Sequence, residues 1–166
     1  MIKSQVNKRT TPPAIGWIVT MTVSLFYLYE YFLRFQPGSM EDYFSAIFSL
    51  SLTQLALIDS IYYWTYIPMQ LFVGTIVDHF GVRKPLFVAI ISCFIGSILY
   101  SFNTSVIWVL LGRALLGFGS AFGFVAVLKT ATEWLPKNHF PIAIGVATSL
   151  GILGSIFSLV IMAKLK

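Results

Sequence analysis

The stretch Gly74-Thr75-Ile76-Val77-Asp78-His79-Phe80-Gly81-Val82-Arg83-Lys84 closes one long apolar run and leads into another. An acid and a glycine at fixed spacing, followed by two cations, read as a tight turn at a membrane boundary. Gly81 permits the reversal at little conformational cost. Asp78 can face the positive end of another helix dipole. Arg83 and Lys84 hold the turn on the cytoplasmic side. The plainer alternative is an ordinary two-helix hairpin loop that obeys the positive-inside rule.

Composition points the same way. Hydrophobic residues make up 57% of the 166, charged residues 10%, and mean hydropathy is +0.83. Soluble domains carry about 25% charged residues. The net charge of +5 does not read as a nucleic-acid surface, because the cations cluster in short segments between apolar runs. Cys93 is the one cysteine, so an intrachain disulfide is excluded and no metal constellation is present. No small-residue cleavage site follows the basic start, and the first apolar run reads as retained.

Five spans are predicted, at about 14–33, 55–77, 85–102, 106–128 and 141–163. Each is close to the ~20 apolar residues that cross the hydrocarbon core. Pro12 and Pro13 precede the first, Pro85 opens the third and Pro141 the fifth, where a missing N–H costs little. Pro68 predicts a kink in the second. The segment 35–53, with Glu41 and Asp42, is expected to hold a short outer extension of a neighbouring helix. Asn103-Thr104-Ser105 matches a glycosylation sequon, on a link too tight for use. With the N-terminus in the cytoplasm, Lys3, Lys8, Arg9, Arg83, Lys84, Lys129 and Lys137 fall inside, and Arg34, Lys164 and Lys166 outside. That bias supports a multi-pass protein of the cytoplasmic (inner) membrane with its N-terminus inside.

The loop resembles the one between helices two and three of the major facilitator superfamily, roughly G-x-x-x-D-[RKH]-x-G-x-[RK]-[RK]. Tyr66-Ile67-Pro68-Met69-Gln70 before it, Arg113-Ala114-Leu115-Leu116-Gly117-Phe118-Gly119 in the fourth span, and Glu133-Trp134-Leu135-Pro136 before the fifth are similar to the family's elements. His79 and Val82 stand where the family often has cations. The resemblance implies an all-α, polytopic bundle, a partial N-terminal six-helix half of a twelve-span fold. Residues 1–166 would then form an incomplete N-terminal transporter domain, truncated or completed by a separate chain. It also implies alternating access, with the solute near the midplane.

Small residues set the expected packing. Gly117 lies one turn from Arg113, Gly119 and Gly123 form a G-x-x-x-G pair, and Ala143, Ala147, Gly151 and Ser155 make a stripe on the fifth span. Polar residues inside spans carry the expected chemistry. Thr20, Ser24, Tyr27, Glu30, Tyr31 and Arg34 share one face of the first helix, and Asp59, Tyr62, Tyr63, Tyr66 and Gln70 one face of the second. Glu30 and Asp59 lie roughly 5 Å below the outer boundary and Arg113 roughly 10 Å. Two readings follow. In one, Tyr27, Glu30, Arg34, Asp59, Tyr63 and Arg113 line a substrate or proton cavity. In the other, the charges pair and only fix the packing.

The function expected is secondary transport of a small solute. Arg34 and Arg113 match carboxylate or phosphate in a bidentate fork, which favours an organic anion. Glu30 or Asp59 would carry a coupled proton. No nucleotide-binding loop supports an ATP-driven pump, and no cofactor is implied. A small non-transporting scaffold or assembly subunit is the alternative. An enzyme is not expected, since both histidines sit in or beside loops, far from the intramembrane carboxylates.

Overall fold

Gly81 adopts φ 73°, a state glycine enters without strain, and there one helix hands over to the next. The computed structural model describes residues 13–36, 40–102 and 104–164. Lys3, Lys8, Arg9, Pro12, Asn103 and Lys166 lie outside the described residues, as do the side chains of Pro13, Glu41 and Asp42. The described residues form α1 Pro13–Phe35, α2 Glu41–Phe48, α3 Leu52–Phe80, α4 Arg83–Tyr100, α5 Val106–Ser120, α6 Gly123–Trp134 and α7 Phe140–Lys164, and no strand.

Among the described residues, four helical stretches are long and apolar enough to cross a membrane: Ala14–Phe35, Arg83–Tyr100, Val106–Trp134 and Phe140–Ile161. The helix α3 is long enough at 29 residues but less apolar, because Asp59, Tyr62, Tyr63, Tyr66 and Gln70 interrupt its hydrophobic run. It nevertheless packs along α5, and its inward residues Leu55, Ile58, Tyr62, Val73 and Val77 are buried.

The outer segment is a helix in its own right. Ser49 in the left-handed region (φ 52°) ends α2, and a capping box starts α3. There Ser51 Oγ accepts from the Gln54 N–H at 3.4 Å, and Gln54 Oε1 accepts from the Ser51 N–H at 2.9 Å. Phe44 of α2 is buried with Leu55, Ile58, Tyr100 and Val109, so α2 closes one end of the bundle.

Arrangement of the bundle follows from its small residues. Helix α1 packs chiefly on α7 and α6, while α5 packs on α4 and α3. Gly96 and Gly112 face each other, and a Cβ on either would meet the other's carbonyl oxygen at 2.9 and 2.7 Å. A Cβ on Gly154 would strike the Leu28 carbonyl. The buried stripe of α7 is Ala143, Ala147, Gly151, Gly154 and Ser158, with Ser155 only half-buried. A strict interval of four drifts off the face, since an α-helix turns every 3.6 residues.

The predicted fourth span is two helices. Ala121 and Phe122 keep right-handed helical angles, so the axis continues, but the Phe122 N–H reaches back to Gly119 at 3.3 Å, one residue short of the α-helical pattern. The Ala121 carbonyl instead accepts from Gln70 Nε2 of α3 at 3.3 Å. This break separates the faces of Gly119 and Gly123. A Cβ on Gly119 would meet Cys93 Sγ of α4 at 2.6 Å, while one on Gly123 would meet Tyr27 of α1 at 3.3 Å. The G-x-x-x-G pair therefore serves two neighbours rather than one.

Candidate solute site and its charge network

The polar face of α1 points into the bundle. Thr20 and Ser24 are buried and donate to the carbonyls of Gly16 and Thr20, both at 2.8 Å, so their hydroxyls are satisfied within the helix. Tyr27, Glu30, Tyr31 and Arg34 continue the face, which the helical period makes one strip. Glu30 is fully buried and pairs with Arg34 one turn on. Its other oxygen, Oε2, has no hydrogen-bond partner among the described residues and faces Gly123, whose lack of a side chain lets α6 approach.

Tyr62 of α3 joins this pair to a second one. Its hydroxyl donates to Glu30 Oε1 at 3.2 Å and accepts from Arg34 Nε at 3.0 Å. Arg34 also lies 4.7 Å from the Tyr31 ring centre and 4.6 Å from that of Tyr66. Three tyrosines and one carboxylate thus surround this guanidinium, and its side chain keeps 15% of its surface open. Tyr27 donates to the Tyr31 hydroxyl at 3.1 Å and holds that wall.

Arg113 also lies against the Tyr62 ring, 4.8 Å from its centre. It is 1% exposed, donates to the Leu33 carbonyl at 3.3 Å and lies 3.8 Å from Asp59. The Asp59 carboxylate is 40% exposed, so the pair runs from the interior to the surface. Tyr63, expected on the same face, is 44% exposed and meets Tyr62 edge-on at 5.1 Å between ring centres. It lines a surface concavity of 440 Å³ at the Pro68 level with Ser60, Trp64 and Ile67, apart from Arg34. The charges therefore form two pairs sharing Tyr62, and of the two arginines Arg34 has the more open head group.

The loop motif builds a second cluster at the far end of α3. Asp78 accepts from Lys129 Nζ at 2.7 Å, and Lys129 also lies 3.6 Å from Glu133. Asp78 thus ties α3 to α6 through Lys129, a contact that no local sequence pattern signals. Gly74 is half-buried with open space around a would-be Cβ, and Gly81 makes the turn. Arg83 and Lys84 are exposed. Gly117 packs on the backbone of Tyr62 and on Thr65 Oγ1, and Gly151 on the Tyr27 ring. Thr65 and Ser92, which no pattern flagged, donate across helices to the carbonyls of Ala114 and Leu115, both at 2.9 Å. Among the described residues no group of three or more metal-ligating side chains converges.

Comparison with known proteins places these features in context. The model of the Major Facilitator Superfamily matches residues 16–165. The uncharacterized transporter YybO of Bacillus subtilis is 32% identical over 154 residues, 93% of this chain and 34% of the relative. A probable sulfoacetate transporter, SauU of Cupriavidus necator, is 30% identical over 105 residues, 63% of this chain and 24% of the relative. The nitrate/nitrite transporter NrtP of Picosynechococcus sp. is 33% identical over 96 residues, 55% of this chain and 17% of the relative. The chain thus spans about a third or less of these relatives' length. No solved structure matches it significantly.

Proposed function

The chain belongs to the major facilitator superfamily, and on that premise we propose that it serves secondary transport of a small organic anion by alternating access. It is an integral membrane protein, and a small-molecule solute follows from the family. The single observation that carries the anion reading is Arg34. Its guanidinium is held by Tyr31, Tyr62 and Tyr66 and left partly open, while Arg113 is closed in. A permanently charged, planar fork on a central helix suits a carboxylate or sulfonate. Two similar proteins are named for anions, sulfoacetate and nitrate/nitrite, which supports the same class.

In this reading Tyr27 and Tyr31 shape the pocket wall, Glu30 is the counter-ion that the solute replaces on Arg34, and a proton taken up by Glu30 couples the two events. Asp59 and Arg113 fix α3 and α5 to the end of α1. The N-terminus lies on the cytoplasmic side of the inner membrane, with α3 as a further span and Asp78, Gly81, Arg83 and Lys84 at the cytoplasmic face.

The test is uptake into proteoliposomes of sulfoacetate, nitrate and a neutral sugar by a transporter assembled from this chain and the remaining helices of the twelve-span fold, with Arg34, Arg34→Lys or Arg34→Gln at equal incorporation. Anion uptake should exceed sugar uptake, fall strongly in the lysine variant and vanish in the glutamine variant. Anion uptake unchanged by both substitutions, or sugar uptake above anion uptake, overturns the assignment.

A further inference from the structure

Helices α3 and α4 join at Gly81 but touch little along their length, and each packs instead on α5. What remains is a groove of 260 Å³ with walls Met69, Ile76 and Phe80 on one side and Pro85 and Val88 on the other, and floor Phe118 and Phe122. Lys84 is its one charged lining residue and lies at the turn end, with Arg83 beside it on the same exposed turn. Among the described residues neither cation has an ion-pair partner, because the nearby acid, Asp78, is engaged with Lys129. The first turn of α4 has no side-chain cap, so its N–H end is also open to an anion.

We infer that this groove binds an anionic glycerophospholipid, one acyl chain between α3 and α4 and the phosphate against Lys84 and Arg83. The chemistry is complementary at both ends. An apolar slot with a phenylalanine floor takes a hydrocarbon chain and offers nothing to a polar solute. A pair of unneutralised cations at the membrane boundary takes a phosphate, as basic pockets between transmembrane helices do. A zwitterionic lipid would fill the slot equally well but bring its own cation to the turn. The inference rests on surface geometry alone and is independent of the anion assignment at Arg34.

The experiment titrates dioleoyl phosphatidylglycerol and dioleoyl phosphatidylcholine into the delipidated protein in neutral detergent, reading bound lipid by native mass spectrometry and thermal shift. Each cation is worth about fivefold, so phosphatidylglycerol should bind on the order of thirtyfold more tightly. The double variant Arg83→Gln, Lys84→Gln should bring it to the phosphatidylcholine level, and Val88→Trp should weaken both lipids by filling the slot. Lys137→Gln, another exposed cation outside the groove, should change nothing. Equal binding of both lipids by wild type, an equal loss with Lys137→Gln, or an equal shift from soluble glycerol phosphate would overturn the inference. All but Val88→Trp alter exposed polar side chains only, and its fold is checked by its lipid-free melting temperature.

Discussion

Replacing Arg113 by glutamine separates a residue that holds helices from one that holds solute. The side chain is 1% exposed, so its loss is felt in the packed interior. Three terms enter. The Leu33 carbonyl loses a charged donor at 3.3 Å, a contact worth about 1.5–3 kcal/mol. The Tyr62 ring loses a cation 4.8 Å from its centre, worth about 1 kcal/mol when desolvated on one side. Asp59 loses its partner at 3.8 Å, a separation too long for a direct hydrogen bond, so this term adds little to the other two. The glutamine amide recovers part of the carbonyl contact. The expected net loss is about 3 kcal/mol of stability, the sum of these terms less that recovery. Thermal unfolding of purified protein in detergent should show a clear drop for Arg113→Gln and a smaller one for Arg113→Lys. The KM for anion uptake by the surviving folded fraction should not change. A variant that melts with wild type but shows a raised KM would refute the reasoning and return Arg113 to the solute pocket.

Two further outcomes follow from contacts between distant residues. Gln70→Leu removes the donor to the Ala121 carbonyl, an unsatisfied acceptor costing about 1–3 kcal/mol, and hydrogen exchange should rise at residues 121–126 before it rises elsewhere; unchanged exchange there would show that the break needs no clamp. Asp78→Asn breaks an exposed pair with Lys129, so stability should move by less than about 1 kcal/mol while transport falls at normal membrane insertion; wild-type transport would remove the motif's conformational role.

Local signals were readable in the sequence, and long-range ones were not. The turn at Gly81, the inward face of α1 and the expense of placing Arg113 in hydrocarbon all follow from residue type and helical period. The pairing of Asp78 with Lys129 and of Gln70 with Ala121 each joins residues 51 positions apart, a distance at which no periodicity speaks. Tyr62 and Tyr63 are neighbours of one type, yet one is sealed and the other faces out, which depends on where Glu30 and Arg34 stand. The break in the fourth span has no proline to announce it. It forms where glycines allow different neighbours to approach and where a side chain from α3 donates to the freed carbonyl.

Tyr62 touches both guanidinia and both halves of the Glu30–Arg34 pair. Substitutions at positions 30, 34 and 62 are therefore expected to be non-additive, because all three residues share the hydrogen bonds of one hydroxyl. A relative that alters one of these positions should need a compensating change at a second. Under the proposed anion reading, retuning solute preference through Arg34 alone would meet the same constraint. The shortest route to a new specificity runs through paired changes, with Tyr62 as the position whose identity decides which pairs are tolerated.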